Sequence, residues 1–258
     1  MLKFLEMMGL SKPASAHGAE MDQLLALVHW LMAALLIGWG IYYVYVLLRF
    51  RSSKQPKAEY TGVTSHYSRY VEIGVTVVEA VLLIGFALPI WGMVKNEIPD
   101  EAEALYVRVV GEQFAWNIHY PGADGQFGRS SLEFLDAETN PLGLDPDDEY
   151  GADDITTINQ LHLPVNKPVV ILLSSKDVIH SFALPLMRVK QDAIPGLTIP
   201  VWFVPNRIVE SEIACAQLCG LGHYRMRGFL TVESQDDYDA WQAEEAALKA
   251  EEAEGDWW

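Results

Sequence analysis

The chain has 258 residues, half of them hydrophobic, and a formal net charge of −17. This acidity excludes nucleic acid as an expected partner, because nucleic-acid-binding proteins present positive charge to the phosphates. The hydrophobic fraction is too high for an ordinary acidic soluble domain, and the excess lies near the N-terminus. These features together predict a membrane-anchored protein with an acidic soluble domain.

Two long apolar runs lie in the N-terminal part of the chain. Residues 24–48 contain no charged side chain, and residues 71–94 contain only Glu72 and Glu79. Because about 20 apolar residues cross a bilayer, each run predicts a transmembrane helix, and the short polar loop between them favours a hairpin over two buried core helices. The basic residues of this loop, opposed only by Glu59, place it in the cytoplasm by the positive-inside rule: Arg49, Arg51, Lys54, Lys57 and Arg69.

This orientation places both the N-terminus and the domain after the second run outside the cytoplasm. In a bacterium, the protein would be a multi-pass component of the inner membrane with its soluble domain on the periplasmic side. The predicted segments, from extracytoplasmic N-terminus to acidic tail, are residues 1–23, 24–48, 49–70, 71–94, 95–234 and 235–258. We predict that Ala14-Ser15-Ala16, although composed of small residues, is not a signal-peptide cleavage site.

The negative charge is confined to the C-terminal part of the chain. Residues 100–258 hold 28 acidic and 10 basic residues, whereas the first 99 residues hold 7 and 8. An acidic surface either is only solvated or attracts a cationic partner and raises its association rate. The second interpretation predicts a basic protein partner for the periplasmic domain.

The periplasmic domain has the sequence pattern of a β protein. Short runs rich in β-branched and aromatic residues are separated by turn signals such as Pro195-Gly196 and Pro205-Asn206. Such a series is typical of a Greek-key sandwich or barrel. A surface insertion is predicted at residues 123–154, and an exposed acidic helix at residues 235–258. The predicted strands are residues 104–120, interrupted near Gly111, and residues 155–163, 169–174, 198–204, 208–214 and 228–232.

The strongest functional signal is the segment of residues 215–226. It contains both cysteines of the chain, Cys215 and Cys219, followed by His223 and Met226. Thiolate, imidazole and thioether groups are the ligands that copper prefers and that hard cations avoid. The alternative is a disulfide with an incidental histidine and methionine, which a periplasmic location also permits.

A further candidate ligand, His180, follows an apolar run at residues 169–173 that predicts a buried strand. A histidine at a strand end is more often a surface or core residue than a ligand, but this position is typical of one ligand in cupredoxin-type copper sites. One cysteine, two histidines and a methionine bind a single copper ion, whereas a second cysteine permits two ions.

These segments resemble those of subunit II of haem-copper cytochrome c oxidases. That family has a C-x-E-x-C-x-x-x-H-x-x-M loop, a D-V-x-H segment similar to residues 177–180, and a K-x-D-A-x-P-G run similar to residues 190–196. The similarity extends from the first apolar run to about Glu233. It implies an α+β membrane-anchored fold: a two-helix transmembrane hairpin followed by a cupredoxin-like Greek-key β-sandwich.

The resemblance implies a dinuclear copper centre of the CuA type. The implied ligands are two bridging cysteines, two terminal histidines, a methionine and one backbone carbonyl: Cys215, Cys219, His180, His223, Met226 and Gln217. In the family, a glutamate at the position of Gln217 also contacts a Mg²⁺ ion at the interface with subunit I. Gln217 keeps the backbone carbonyl that would contact copper, but its side chain is an amide and lacks the carboxylate that would contact Mg²⁺.

The resemblance also implies a role in a proton-translocating oxidoreductase. Electrons would pass one at a time from cytochrome c, or from a cytochrome c domain of another respiratory complex, through the copper centre to haem in subunit I. Oxygen reduction and proton pumping would occur there, with subunit III and membrane lipid as further neighbours. A membrane-tethered copper chaperone or store is the alternative, but it would not need the framework of residues 190–196.

Three residues are candidates for electron and proton transfer by the same resemblance. Residues 111–116 are similar to the family's G-H-Q-W-Y-W, whose first tryptophan accepts electrons; here that ring is Phe114, while Trp116 keeps the second. Either ring is a candidate electron acceptor, or both only pack the domain. Glu72 matches an acid near the proton-uptake entrance of subunit I, or it is an interfacial charge.

Five histidines have no ligand spacing and are expected to be ordinary polar residues: His17, His29, His66, His119 and His162.

Overall fold

The computed structural model describes residues 2–57, 60–62, 65–136 and 139–255. Glu59 of the predicted cytoplasmic loop and the terminal Trp257-Trp258 lie outside the described residues. The chain divides into two compact units. One comprises Met1–Leu10 with Glu20–Met93, and the other comprises Ser11–Ala19 with Val94–Trp258.

The first unit is helical and apolar. Both predicted apolar runs are helical, and the helices extend beyond the predicted bounds because polar residues at their ends continue the helical hydrogen bonding. The continuous helices Gly18–Arg49 and Tyr67–Asn96 are each long and apolar enough to cross a membrane. The elements are α1 (Leu2–Met7), α2 (Gly18–Arg49), α3 (Tyr67–Leu82), a π-helical turn (Leu83–Ala87) and α4 (Leu88–Asn96).

The second unit contains a β-sandwich of two five-stranded sheets. The strands are β1 (Leu105–Glu112), β2 (Ala115–Tyr120), β3 (Ile155–Ile158), β4 (Gln160–Pro164), β5 (Val169–Ser175), β6 (His180–Leu184), β7 (Val189–Ala193), β8 (Ile199–Phe203), β9 (Val209–Cys215) and β10 (Arg227–Glu233). One sheet has the strand order β3-β2-β1-β5-β8 and the other β4-β10-β9-β6-β7. This architecture confirms the predicted cupredoxin-like sandwich.

The core lies between the two sheets. Along β2, alternate side chains point inward, and Trp116, Ile118 and Tyr120 are fully buried. They pack with buried side chains from both sheets, among them Phe182 on β6 and Phe203 on β8. The period-two alternation of strands explains this arrangement, since residues two apart share a face.

Two features of the strands differ from the prediction. The single strand expected at residues 155–163 is broken at Asn159, which has φ 61°, so β3 and β4 belong to different sheets. Asparagine adopts this left-handed conformation more readily than most residues. Strands β6 and β7 were not predicted, because β6 is buried along its whole length and β7 is mainly polar; neither shows an apolar–polar alternation.

An N-terminal segment packs into the sandwich. Ala14 is fully buried in the core, and its N–H donates to the Leu186 carbonyl at 2.7 Å. Ser15 forms a β-bridge with Pro205, and its hydroxyl donates to the Met187 carbonyl at 2.6 Å. This packing accounts for the small side chains of Ala14 and Ser15.

The insertion at residues 123–154 is anchored rather than simply solvated. Asp154 is fully buried and contacts the buried His119 at 2.5 Å, and it accepts hydrogen bonds from the N–H groups of Gly128 and Gly122. His119, expected to be an ordinary polar residue, is therefore a buried anchor of the insertion. Because a buried carboxylate is costly without partners, these contacts hold both ends of the insertion against β2.

The C-terminal helix α5 (Gln235–Gly255) confirms the predicted helix over its described residues and packs on the sandwich. The Trp241 ring is stacked on His162, with centroids 4.3 Å apart and planes 4° apart. Further along the helix, Lys249 donates to the Asp154 carbonyl at 2.8 Å and to the Gly151 carbonyl at 3.1 Å. The helix and the insertion thus form one acidic region, defined here as residues 123–154 and 235–255.

Candidate metal centre

Both thiols of the chain face each other in the β9–β10 connection. Cys215 is the last residue of β9, and Cys219 lies in the following loop, with their Sγ atoms 3.8 Å apart. Both cysteines are free. A disulfide requires an S–S distance of about 2.0 Å, so this geometry is that of two thiols able to share a ligand between them.

Each thiol has its own imidazole neighbour. His180, the fully buried first residue of β6, places Nδ1 3.9 Å from the Cys215 Sγ. His223, at the start of a short 3₁₀ turn, places Nδ1 3.6 Å from the Cys219 Sγ. The ligand atoms of His180 and the two cysteines all lie within 4.8 Å of one another. The structure therefore brings together residues that are distant in the sequence.

The remaining implied ligands are adjacent to the same thiols. Met226 is buried, and its Sδ lies 3.6 Å from the Cys219 Sγ. The Gln217 carbonyl oxygen lies 3.2 Å from the Cys215 Sγ, whereas the Gln217 side chain is exposed. All six residues of the implied ligand set thus meet at one end of the sandwich.

Asp177 holds the His180 ring in place. Its Oδ1 contacts His180 Nε2 at 2.8 Å, which leaves Nδ1 directed at the thiols. Burial would raise the pKa of Asp177, but hydrogen bonds from His180 and from the Val178 and Gln113 N–H groups hold that pKa below its ordinary value. Such carboxylate–histidine contacts orient metal-bound imidazoles in many proteins. The sequence signal for this role is the position of Asp177 three residues before a candidate ligand.

The chemistry of the donor set fits copper. Burial, together with the neighbouring Cys215 thiol, raises the pKa of Cys219 to about 11. A thiol pair in this environment keeps its protons unless a cation compensates the thiolate charge, and metal binding releases those protons. Two thiols, two imidazoles and a thioether are soft and borderline ligands, so copper fits this site better than a hard cation.

The two candidate aromatic rings occupy different environments. Trp116 is fully buried, with its ring 5.9 Å from that of His180 and 5.5 Å from that of Phe182. Phe114 is half-buried in the β1–β2 turn, and the Arg225 guanidinium lies 5.8 Å from its ring centroid. Trp116 therefore contacts a candidate ligand from the core, whereas Phe114 is the ring nearer the surface.

Glu72, the candidate for proton uptake, belongs to the helical unit. It lies in the second turn of α3 with an exposed side chain, and its backbone carbonyl accepts from Thr76 Oγ1 at 2.9 Å. Glu79 is also exposed on the same helix. Both glutamates belong to the helical unit, whereas the metal-ligand set belongs to the unit that contains the sandwich.

The charges near the candidate ligands are largely paired. Glu112 contacts Lys176, and Glu212 lies 3.5 Å from Arg227. Arg225 is exposed within the ligand loop, defined here as residues 215–226, between His223 and Met226. The excess of carboxylates in the soluble part therefore lies mainly in the acidic region, which strands β2 and β10 separate from the ligand loop.

Comparisons with known proteins identify the family of this chain. Residues 105–234 match the family described as cytochrome c oxidase subunit II, periplasmic domain. The alternative cytochrome c oxidase subunit 2 of Bradyrhizobium diazoefficiens is 33% identical over 230 residues, covering 89% of this chain and 81% of the relative. Cytochrome c oxidase subunit 2 of Cereibacter sphaeroides is 31% identical over 234 residues, covering 83% and 74%.

A solved structure of the same kind is also similar. The crystal structure of the periplasmic domain of subunit II of cytochrome oxidase (CoxB) of Bradyrhizobium japonicum has 27% sequence identity and a TM-score of 0.43, covering 58% of this chain and 98% of that one. The family match spans half of the chain, and the relatives extend over most of its length. This membrane-anchored chain belongs to the cytochrome c oxidase subunit II family.

Proposed function

We propose that this chain holds a dinuclear copper centre and is the electron-accepting subunit of a proton-translocating cytochrome c oxidase. The observation that carries the proposal is the pairing of each thiol with a different imidazole: Cys215 with His180, and Cys219 with His223. A single metal needs only one thiolate with its imidazoles. Two facing thiols, each flanked by its own imidazole, fit two bridged ions.

The protein's contribution is a set of ligands that moves little. Bound there, a copper pair supplies a carrier whose one-electron change is spread over two metals and two thiolates. Met226 and the Gln217 carbonyl complete the proposed ligand set, while the exposed amide of Gln217 provides no carboxylate for the Mg²⁺ ion of the family. Asp177 fixes the His180 ring, and the sandwich fixes the strand ends, so the ligand atoms keep their positions when the charge changes.

The metal content and spectrum of the purified complex test this proposal. We expect two copper ions per chain, a near-infrared absorption band, and a paramagnetic resonance signal with the hyperfine pattern of one electron shared by two copper nuclei. A colourless protein with one copper ion would contradict the proposal and favour a copper store or chaperone.

We propose that electrons from cytochrome c arrive at the Phe114 side of the centre. The Phe114 ring is the nearer of the two candidates to the surface, and the buried Trp116 ring contacts His180. Replacing Phe114 with alanine is expected to lower the second-order rate of copper reduction by cytochrome c roughly tenfold, as expected for a contact at the centre of an interface. The Phe114→Trp variant should keep or raise that rate. If copper in the Phe114→Ala and Phe114→Trp variants were reduced at the wild-type rate, this route would be excluded.

The proposed partners are subunits I and III in the inner membrane, with the copper domain on the periplasmic side. The basic loop between the two long helices supports this orientation. Proteolysis of intact spheroplasts should therefore cleave the sandwich domain but not the loop at residues 49–66. Protection of the sandwich in spheroplasts, with cleavage only after lysis, would reverse the orientation.

We propose Glu72 as a residue at the proton-uptake side of the complex. Its place in the second turn of α3, next to the basic loop, supports a position at the cytoplasmic membrane surface. Glu72→Gln should lower steady-state oxygen consumption while leaving the rate of copper reduction unchanged. Glu79→Gln, on the same helix, is the matched control.

A further inference from the structure

The turn between β1 and β2 makes hydrogen bonds to both ligand-bearing segments of the metal centre. The Gln113 backbone N–H donates to Asp177 Oδ2 at 2.7 Å, and its side-chain Nε2 donates to the Cys219 carbonyl oxygen at 2.5 Å. The other oxygen of Asp177 contacts His180 Nε2 at 2.8 Å. One residue therefore connects the segment that carries His180 with the loop that carries Cys219.

The ligand loop is shaped to close against this turn. A Cβ atom on Gly220 would lie 2.6 Å from Gln113 Nε2, and a Cβ atom on Gly222 would overlap the Phe114 ring. Gly220 also has φ 134°, a conformation that L residues rarely adopt. The two glycines thus permit an approach that brings the Cys219 carbonyl within reach of the Gln113 amide.

We propose that Gln113 is a positioning residue of the metal centre. This inference rests on the dicopper function proposed above. The Gln113 side chain fixes the peptide group that follows the bridging Cys219, while its backbone fixes the carboxylate that orients His180. Groups outside the ligand set that restrain the ligands in this way tune metal affinity and potential. Gln113 acts through Cys219 and Asp177 and does not itself contact the metal.

The two contacts of Gln113 are separable by mutation. Any side-chain replacement other than proline keeps the backbone N–H and hence the bond to Asp177. A side-chain change therefore removes only the hydrogen bond to the Cys219 carbonyl. Gln113→Glu has the same length, but an ionised carboxylate accepts hydrogen bonds and donates none, so it faces the carbonyl without a bond.

The first experiment compares the copper centre of the assembled oxidase in the wild type and in Gln113→Glu. We expect two copper ions in both proteins, a shifted near-infrared band in the variant, and roughly tenfold faster loss of copper to a copper(I) chelator. Gln160→Glu is the matched control, because Gln160 is an exposed glutamine of β4 in the same sandwich. The control should keep the wild-type band and rate.

The second experiment uses the copper-free complex, so it does not depend on the loaded enzyme. Amide hydrogen exchange in residues 216–222 is expected to be about three- to tenfold faster in Gln113→Glu, as expected for the loss of one hydrogen bond. Gln113→Asn, whose amide is one methylene too short to reach the carbonyl, should give the same direction without a change of charge. It also replaces the glutamate variant if that protein does not assemble.

The outcomes separate this inference from the function on which it rests. A wild-type dicopper signal together with unchanged band, chelation rate and exchange in both Gln113 variants would overturn the inference and leave the dicopper function standing. Absence of the dicopper signal from the wild type would overturn the function; faster loop exchange in the variants would then still support a restraint by Gln113.

Discussion

The two ends of the β-sandwich differ in how they use charged and polar residues. At the end that carries the proposed copper ligands, called the copper end, carboxylates are paired or used for positioning: Glu112 contacts Lys176, and Asp177 contacts His180. At the opposite end lies the acidic region, residues 123–154 and 235–255, whose sequence holds 18 of the 28 acidic residues of the soluble part and only two basic residues. The copper end is thus built for fixed geometry, whereas the opposite end carries the net charge.

Strand directions establish that these are opposite ends. β2 begins after Phe114 at the copper end and finishes at Tyr120, where the insertion follows. β10 begins after Met226 and finishes at Glu233, just before α5. A seven-residue strand spans roughly 20 Å, about twice the distance over which physiological salt screens surface charges. The net charge of the soluble part therefore says little about the local charge of the surface where electrons are proposed to arrive.

The largest effect is expected from breaking the copper end itself. Cys219→Ser removes one of the two facing thiols, and a hydroxyl is a harder and weaker ligand for copper than a thiolate. We expect the near-infrared band to disappear and the copper content to fall by half or more. Metal analysis and absorption spectroscopy of the purified complex measure both effects. The insertion at the opposite end should keep its protection against amide exchange. Persistence of the wild-type spectrum would show that Cys219 is not a bridging ligand.

The matching change at the acidic end is Asp154→Ala. It leaves His119 and the N–H groups of Gly122 and Gly128 without their carboxylate, and breaking a buried pair in this way costs about 3 kcal/mol. We expect the free energy of local opening, measured by amide exchange at Gly128, to fall by about that amount. The copper spectrum should not change. A changed spectrum would show that the two ends are coupled.

The same anchor predicts a response to acid. Burial alone would raise the pKa of Asp154, but hydrogen bonds from His119 and from the Gly128 and Gly122 N–H groups hold it below its ordinary value of 3.8. A carboxyl group with a lowered pKa stabilises the folded state above its ordinary pKa, and this stabilisation is lost as the pH falls through the lowered value. Amide protection of the insertion should therefore decrease below about pH 4. Asp154→Asn should remove this pH dependence.

A smaller effect is expected from Met226→Leu at the copper end. Leucine fills a similar volume but provides no sulfur, so both coppers should remain while their spectrum and potential change. Loss of copper to a chelator should rise by less than about tenfold. Redox titration with absorption detection measures the change in potential. An unaltered potential would exclude Met226 from the ligand set.

The sequence predicted the architecture better than the contacts between distant residues, and the six residues that the resemblance implies as ligands lie together in the structure. Long apolar runs and strand-like runs are local signals, and they located both helices and most strands. The break at Asn159 was missed because a tolerated left-handed residue leaves no periodic signal. The Asp154–His119 anchor and the Gln113–Cys219 hydrogen bond join residues 35 and 106 positions apart, and a single sequence carries no spacing rule for such pairs.

The smallest effects should come from surface charge, and they differ between the two ends. Arg225 lies beside Phe114, so Arg225→Glu should raise the association rate of a basic cytochrome c about threefold at low salt. Neutralising three carboxylates of α5 by Asp239→Asn, Glu244→Gln and Glu245→Gln should change that rate by less than about 1.5-fold at physiological salt, because screening removes their influence over the length of the sandwich. Stopped-flow reduction at several ionic strengths measures both rates. A larger effect of the α5 variant would mean that the donor also contacts the acidic region, and net charge would again bear on where it docks.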